Sequence, residues 1–362
     1  MVYKTLKQVA SFIKTGKTPP TKETQYFDGI INWYGPPDLG KEKFLGDAKR
    51  TISEIAIKDK KATVFPANTL LIGCIGDIGK LGITLNLCSS NQQLTGILPN
   101  DDTDVNYLYF WFRHNKPLLE SYANKAVVPI LNNGTLEKIQ IPLPPLETQQ
   151  KIASILDATD TLRQKDKALL AKYDELTQAL FLDMFGDVIS NNKNWESKKF
   201  EEIISLKRGY DLPNNDRKKG DIPVVASTGI VGYHNEVKVK GGCIVTGRSG
   251  SIGKVQLITV DCWPLNTSLY GYKTFNNNLV YLKYFVSYFR IERFSHGAGV
   301  PTLDRKLVHK ELAPSPPIEL QHQFAERINA IEQQKAIAQA SLEKSEELFN
   351  SLLQKAFKGE LV

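Results

Sequence analysis

Apolar residues recur at helical spacing over a long stretch in the middle of the chain, from Leu146 to Gly186. They fall at alternating steps of three and four residues, apart from a skipped position at Asp166, which is the spacing of a coiled-coil seam. The seam positions are Ile152, Ile155, Thr159, Leu162, Leu169, Tyr173, Leu176 and Leu180. Prolines precede the stretch and a glycine follows it, as at the start and end of a helix. The pattern predicts one helix of about 38 residues, roughly 55 to 60 Å long at about 1.5 Å per residue.

The region before this helix alternates short apolar runs with loops. Strands are predicted at Ile30 to Tyr34, Thr69 to Cys74, Leu81 to Leu87 and Leu94 to Leu98, a short helical face at Leu6, Val9 and Phe12, and a buried helix at Val105 to Phe112. This mixture predicts an α+β lobe.

The second half of the chain repeats the same plan. The glycine-rich turn Gly73 to Lys80 recurs as Gly247 to Lys254, 174 residues further on. Other matching pairs are Asn91 and Asn266, Gly96 and Gly271, Tyr107 and Tyr281, and Gln149 and Gln321. Such self-similarity predicts a lobe-helix-lobe-helix duplication.

A second long helix is predicted from Leu320 to Phe357. Its seam is Phe324, Ile328, Ile331, Ala338, Leu342, Phe349, Leu352 and Ala356, interrupted at Lys335 and Ser345. Each apolar stripe is too narrow for burial in a globular core, so we expect the two helices to pair with each other. Since the first helix joins the lobes and the second follows the second lobe, the pairing must be antiparallel. The predicted fold class is therefore α+β, with two similar lobes separated by an antiparallel coiled coil and related by an approximate two-fold axis.

Length and composition agree with two domains and connecting helices. The chain has 362 residues, of which 41% are hydrophobic and 23% charged, as in ordinary globular proteins. We expect neither a signal peptide nor a membrane span. Cys74, Cys88, Cys243 and Cys262 lack metal-ligand spacing, which favours reduced, mostly buried thiols in a cytoplasmic protein.

The net charge of +7 is concentrated in the two lobes. It is +3 for residues 1–150, −2 for 151–190, +7 for 191–322 and −1 for 323–362. Basic lobes joined by near-neutral helices suit two nucleic-acid-binding lobes connected by helices that bind protein.

The residues form none of the familiar catalytic patterns. The glycine-rich turns have five residues before Gly-Lys where a phosphate-binding loop needs four, and Leu81 and Val255 stand where its Ser or Thr is required. The Asn/Asp-Pro-Pro-aromatic motif of adenine methyltransferases is absent, as are a His-Glu-x-x-His metal site and a convincing Gly-x-Ser-x-Gly serine elbow. The five histidines are scattered, so we interpret each as a surface or structural residue.

Polar and basic loop residues are the better functional candidates, because their side chains can hydrogen-bond base edges, stack on bases or hold phosphates. An ordinary loop role is the competing interpretation for each of them, and a core role for Trp33. The candidates are Lys17, Trp33, Tyr34, Lys80, Asn91, Gln92, Gln93, Ser227, Thr228, Tyr233, His234, Arg248, Ser249, Ser251, Lys254, Asn266 and Thr267.

The duplicated plan resembles the specificity subunit of a type I restriction-modification system, over the whole chain. The paired runs Pro-Pro-Leu-Glu-Thr-Gln (Pro144 to Gln149) and Pro-Pro-Ile-Glu-Leu-Gln (Pro316 to Gln321) carry the resemblance most strongly. The run Arg248 to Lys254 and the helix ends Met184 to Asp187 and Ala356 to Leu361 add to it. Each signal is modest, but they occur twice in register.

The resemblance implies a division into four parts. These are a first target-recognition domain (1–145), a spacer helix (146–186), a second target-recognition domain (187–318) and a second spacer helix (319–362). In this family each recognition domain reads one half of a split sequence in double-stranded DNA. The helices set the gap between the half-sites and dock two methyltransferase subunits, through which restriction subunits join.

The resemblance also implies that the chain is not an enzyme and binds no cofactor of its own. S-adenosylmethionine, ATP and magnesium would belong to the partner subunits, which methylate adenine and cleave DNA. A helix of the predicted length could bridge half-sites about one to one and a half DNA turns apart, with one turn about 34 to 36 Å. Two alternatives stay open: a stand-alone methyltransferase or nuclease with unrecognised motifs, and a coiled-coil scaffold without a DNA role.

Overall fold

The computed structural model describes residues 2–124, 127–297, 299 and 301–361. The chain divides into two compact units. Unit 1 comprises Met1–Asp166 and Ser341–Val362, and unit 2 comprises Lys167–Ala340. Each long helix therefore contributes one segment to each unit.

Unit 1 is built on a five-stranded sheet. The strands are β1 (Tyr3–Thr5), β2 (Ala10–Thr15), β3 (Phe27–Tyr34), β4 (Phe44–Leu45), β5 (Thr51–Ile52), β6 (Val64–Phe65), β7 (Leu70–Gly73), β8 (Leu81–Thr84), β9 (Cys88–Ser90), β10 (Leu94–Pro99) and β11 (Gln140–Pro142). The helices are α1 (Leu6–Val9), α2 (Glu54–Lys58), α3 (Val105–His114), α4 (Lys116–Tyr122), α5 (Asn133–Glu137) and the first part of the long α6 (Leu146–Phe185). The main sheet has the order β2-β10-β7-β8-β4, a second sheet has the order β5-β3-β9-β6, and β1 pairs with β11.

Unit 2 is built on a four-stranded sheet. The strands are β12 (Ser197–Lys199), β13 (Ser205–Arg208), β14 (Ile222–Ala226), β15 (Gly229–His234), β16 (Cys243–Gly247), β17 (Val255–Ile258), β18 (Trp263–Pro264), β19 (Ser268–Lys273), β20 (Ser295–His296), β21 (Thr302–Leu303) and β22 (Leu312–Pro314). The helices are α7 (Phe200–Ile203), α8 (Leu279–Tyr288), α9 (Arg305–Lys310) and the first part of the long α10 (Ile318–Lys358). The main sheet has the order β13-β19-β16-β17, with β15-β14-β18 and β12-β22 as smaller sheets.

The predicted α+β duplication is confirmed by these strand orders. The order β2-β10-β7-β8 in unit 1 matches β13-β19-β16-β17 in unit 2, and α3 and α8 follow the corresponding strands. The backbone amide of Cys74 donates to the carbonyl of Gln93 at 2.9 Å, and that of Arg248 donates to the carbonyl of Thr267 at 3.2 Å. Both pairs keep the same spacing along the chain.

These hydrogen bonds correct one detail of the predicted repeat. They extend the offset of 174 residues through β10 and β19, so the counterpart of Asn266 is Gln92. The predicted pairs Asn91 with Asn266 and Gly96 with Gly271 were wrong by one residue. Identical side chains suggested that alignment, but hydrogen bonds between strands set the register.

The two long helices pack against each other in opposite directions within each unit. In unit 1, Ile152 and Leu156 near the start of α6 share a core with Phe349 and Leu353 near the end of α10. In unit 2, Phe181 near the end of α6 lies 5.5 Å from Phe324 near the start of α10, measured between ring centroids. The antiparallel pairing is therefore confirmed.

The predicted seam is confirmed on α10 but wrong for half of its positions on α6. Six of the predicted α10 residues are buried: Phe324, Ile328, Ala338, Leu342, Phe349 and Ala356. On α6 the exposed fractions of Ile155, Leu162, Leu169 and Leu176 are 37%, 46%, 41% and 49%.

Polar residues on the inner face of α6 explain this error. The guanidinium of Arg163 lies 4.9 Å from the ring centroid of Phe349 and pairs with Asp160, and Asp166 and Thr177 are buried. Because this face is held partly by charged and polar side chains, apolar periodicity does not mark it.

Several shorter elements also differ from the sequence prediction. Only Leu6–Val9 is helical near the N-terminus, and Phe12 lies on strand β2. Strand β8 ends at Thr84, and Leu85 and Leu87 beyond it are exposed. The helix α6 ends at Phe185, followed by Gly186 with a φ of +76°.

Candidate nucleic-acid interface

The glycine-rich turn of the second lobe is fixed by backbone contacts on both sides. Besides its bond to Thr267, Arg248 accepts a hydrogen bond on its carbonyl from the amide of Leu303 at 2.8 Å. Gly250 and Gly253 have φ values of +76° and +83°, which side chains with a Cβ rarely adopt. The turn thus holds Arg248 beside the start of β19.

The turn of the first lobe has the same frame and a different surface. The carbonyl of Cys74 accepts from the amide of Leu131 at 2.9 Å, as Arg248 accepts from Leu303. Cys74 is buried, and burial raises the pKa of its thiol to about 11. Lys80 Nζ lies 2.8 Å from a carboxylate oxygen of Asp77. At matching positions, the second lobe therefore has a cation where the first has a buried neutral thiol.

The end of strand β13 adds a residue that the sequence reasoning missed. Arg208 is exposed, and its Nε donates to the carbonyl of Asn266 at 3.2 Å. Asn266 and Thr267 thus connect Arg208 with Arg248. We refer to Arg208, Arg248, Asn266 and Thr267 as the β13-end cluster. The sequence did contain a signal that could have identified Arg208. It stands directly before Gly209, the glycine that matches Gly16 in the first lobe.

Four of the predicted candidates are buried: Trp33, Tyr34, Ser227 and His234. The indole of Trp33 donates to the carbonyl of Lys17 at 3.4 Å, and the hydroxyl of Tyr34 donates to the carbonyl of Gly46 at 2.7 Å. Neither ring is presented for stacking on a base. We therefore do not include them in the proposed interface.

The burial of His234 and Ser227 also has a structural explanation. His234 Nδ1 accepts from the amide of Lys218 at 3.0 Å, and its ring meets the edge of Trp263 at a centroid distance of 4.9 Å. The carbonyl of Ser227 accepts from Gln256 Nε2 at 2.7 Å, which ties the β14–β15 loop to β17. Both residues hold the loops that flank strands β14 and β15.

The remaining candidates lie at least partly at the surface. Those that are exposed are Lys17, Gln92, Thr228, Tyr233, Lys254 and Thr267, and those of intermediate exposure are Lys80, Asn91, Gln93, Arg248, Ser249, Ser251 and Asn266. In the first lobe several of them form side-chain hydrogen bonds within the lobe. Asn91 Nδ2 donates to Gln93 Oε1 at 3.0 Å, and Thr18 donates to Gln92 Oε1. Contact of any of these residues with a base stays a prediction.

Among the described residues, no group of three or more His, Cys, Asp or Glu side chains could hold a metal ion. No helix in the described part of the chain is long and apolar enough to cross a membrane.

Comparison with known proteins gives the family. Residues 1–172 and 192–347 match the family described as the type I restriction modification DNA specificity domain. The chain therefore belongs to this family.

Curated relatives carry the corresponding descriptions. The chain is 30% identical over 220 residues to the type I restriction enzyme MjaIX specificity subunit of Methanocaldococcus jannaschii, covering 56% of this chain and 51% of the relative. It is 26% identical over 274 residues to the EcoprrI specificity subunit of Escherichia coli, covering 67% and 66%. The chain spans about half the length of the first of these relatives.

Solved structures share the fold. The type I restriction-modification S subunit from M. genitalium superposes with a TM-score of 0.64 at 16% identity, covering 98% of this chain and 96% of that one. A chain from a structure on complex assembly and conformational transition of a type I system gives a TM-score of 0.54 at 15% identity, covering 99% and 98%. These similarities show the fold of the whole described chain.

Proposed function

We propose that this chain is the DNA sequence-recognition subunit of a type I restriction-modification complex. Each lobe reads one half of a bipartite target in double-stranded DNA, and the long helices set the spacing between the halves. One observation carries the proposal. One end of the main sheet has the same backbone hydrogen bonds in both lobes but carries different side chains. Cys74 in the first lobe corresponds to Arg248 in the second, and Thr15 corresponds to Arg208. A shared frame with different side chains is what two different half-sites require.

The charge distribution supports DNA as the ligand. The second lobe carries most of the net positive charge, +7 over residues 191–322. Arginine and lysine side chains hold phosphates and displace condensed counterions, while amide and guanidinium groups read base edges. Arg208, Arg248 and Lys254 supply the cations and Asn266 an amide, all at or beside one end of the β13-β19-β16-β17 sheet.

The outer face of α6 supports a protein partner. Ile155 and Leu162 in unit 1, and Leu169 and Leu176 in unit 2, recur every seven residues and are exposed. An exposed apolar stripe at heptad spacing is suited to packing against another protein. We propose that two methyltransferase subunits dock on this stripe. One contacts Ile155 and Leu162, and the other contacts Leu169 and Leu176. Restriction subunits join through them.

The chemistry of the complex then belongs to those partners. S-adenosylmethionine, ATP and magnesium serve the methyltransferase and restriction subunits, and the complex acts in the cytoplasm. The buried thiols of all four cysteines suit a reducing compartment.

Binding of DNA by the purified chain tests the recognition role. We expect it to retain duplex DNA at low salt, with affinity falling steeply as salt rises. We expect neither binding of S-adenosylmethionine nor cleavage of DNA by the isolated chain. Loss of all DNA retention at low salt would support the scaffold alternative, and intrinsic cleavage or methyl transfer would support the enzymatic one.

Substitutions on the α6 stripe test the docking role. Leu162→Lys and Leu169→Lys should abolish co-purification with the methyltransferase subunit without lowering the melting temperature, because both side chains are exposed. Val260→Lys, at an exposed residue beyond β17, is the matched control and should leave assembly intact. Normal assembly of the two α6 variants would contradict the assignment.

A further inference from the structure

The side chain of Arg208 is anchored through Nε, which leaves Nη1 and Nη2 available to bind a ligand. Its Nε donates to the carbonyl of Asn266 at 3.2 Å, and the residue is exposed. A guanidinium has five N–H donors, of which Nε supplies one. The remaining four belong to Nη1 and Nη2, and two of them point forward in parallel. The anchor therefore presents a two-pronged donor fork at the end of strand β13.

The anchoring carbonyl is itself held in place. The amide of Asn266 donates to the carbonyl of Tyr210 at 3.0 Å, and the amide of Gly209 donates to the carbonyl of Ser268 at 3.1 Å. A Cβ on Gly209 would lie 2.3 Å from the carbonyl oxygen of Leu265, so only glycine permits this close approach. Side-chain entropy opposes the ordering of an exposed arginine, and this fixed partner reduces that cost on binding.

The first lobe has a threonine at the position that matches Arg208. Strand pairing makes Thr15 the counterpart of Arg208, since Thr95 pairs with Thr15 and Leu269 pairs with Arg208. The hydroxyl of Thr15 accepts from Asn133 Nδ2 at 2.9 Å and lies 3.4 Å from the hydroxyl of Thr95. The difference between the lobes at this position is therefore one of hydrogen-bonding chemistry.

We propose that Arg208 is a specificity-determining residue that reads a guanine in the half-site of the second lobe. A parallel donor fork matches the O6 and N7 acceptors on the major-groove edge of guanine. Adenine presents an N6 donor in place of O6, so the fork discriminates against it. This inference rests on the proposed DNA-recognition function and adds the base and the residue that reads it.

Selection from a pool of randomised duplex DNA, using the full-length chain, tests the inference. The selected sequences are compared for the wild type, Arg208→Ala, Arg208→Gln and the control Lys207→Ala. Lys207 precedes Arg208 on the same strand, is also exposed, and has its Nζ 4.8 Å from the ring centroid of Tyr272. Melting temperatures of all variants establish that each is folded.

We expect the wild type to select two half-sites, one of which contains a guanine at a fixed position. Arg208→Ala and Arg208→Gln should lose the preference at that position only and weaken binding of the wild-type target roughly 5- to 150-fold. Lys207→Ala should select the wild-type sequence.

Two results would overturn the inference, and they have different consequences for the proposed function. If the Arg208 variants selected the wild-type sequence with uniformly weaker binding and a salt slope reduced by about 1, Arg208 would hold a phosphate and read no base. The proposed function would survive that result. If the wild type selected no sequence, the proposed function itself would fail.

Discussion

Gln321 Oε1 accepts a hydrogen bond from the backbone amide of Asn278 at 3.0 Å, which connects the first turn of α10 to the start of α8. Its Nε2 donates to Asn277 Oδ1 at 2.8 Å and to the carbonyl of Pro316 at 3.0 Å. Gln149 repeats the arrangement in unit 1, accepting from the amide of Asp104 at 2.9 Å and donating to the carbonyls of Asp102 and Pro144. Both glutamines are buried. The glutamine in each Pro-Pro-x-Glu-x-Gln motif is therefore a structural clamp.

Removing either clamp should destabilise its unit. Gln149→Leu and Gln321→Leu leave a part-buried backbone amide and at least one carbonyl without the glutamine as hydrogen-bond partner, which costs up to about 1 to 3 kcal/mol for each unsatisfied group. Gln150→Leu and Gln323→Leu change exposed glutamines on the same helices and serve as controls. Chemical denaturation measures the free energy of unfolding. Equal stability of clamp and control variants would contradict the clamp role.

The two buried tyrosines of the repeat should respond differently to loss of the hydroxyl. Tyr107 donates to the carbonyl of Pro142 at 2.7 Å, whereas the buried hydroxyl of Tyr281 has no partner among the described residues. Tyr107→Phe should lower the free energy of unfolding by about 0.5 to 1.5 kcal/mol, and Tyr281→Phe should leave it unchanged or raise it. Denaturant midpoints of the two variants, each the control for the other, check this. The reverse order of stability would refute it.

His309 should make the stability of unit 2 depend on pH. Its Nε2 accepts from the amide of Leu206 at 3.0 Å, and burial lowers its pKa below the usual 6.5, against the opposing effect of Glu201. Because the folded state holds this histidine neutral, its contribution is present above pH 6.5 and is lost as the pH falls through 6.5 towards the lower pKa of the folded state.

The variant His309→Gln keeps an acceptor that does not titrate. Its stability should therefore fall less than that of the wild type between about pH 7.5 and pH 5.5. The comparison is needed because burial also lowers the pKa of His114. Identical pH profiles would show that His309 makes no such contribution.

The elements that were predicted correctly are those marked by local rules. Helix starts and ends follow from Pro144, Pro145 and Gly186, and the duplicated glycine turns predicted the repeated sheets. The register of the repeat was one residue off at Asn91 because side-chain identity does not fix hydrogen bonds between strands.

The predictions that failed concern which way a side chain faces. Leu162 and Leu169 fit a coiled-coil seam, yet the structure buries Asp166 and Thr177 on the inner face. Burial of polar groups depends on partners supplied by another helix, such as Ser341, whose hydroxyl lies 3.3 Å from Asp166 Oδ1. A single sequence does not specify such partners.

The candidate interface shows the same limit. Aromatic side chains near loops suggested stacking for Trp33 and Tyr34, but both rings fill the core of the first lobe. Arg208 was overlooked because it stands on a strand. Its anchor, the carbonyl of Asn266, lies 58 residues further along the chain. The proposed role of Arg208 depends on this contact between residues that are distant in sequence, and the sequence alone does not reveal such a contact.

An exchange of the second lobe tests most directly whether each lobe reads its own half-site. Residues 187–317 are replaced by the corresponding segment of a family member with a different target, and the chain is expressed with its methyltransferase subunit. Single-molecule sequencing then maps the methylated adenines. We expect one half-site to change while the other half-site and the spacer length remain. A change in both half-sites, or in neither, would contradict the assignment of one half-site to each lobe.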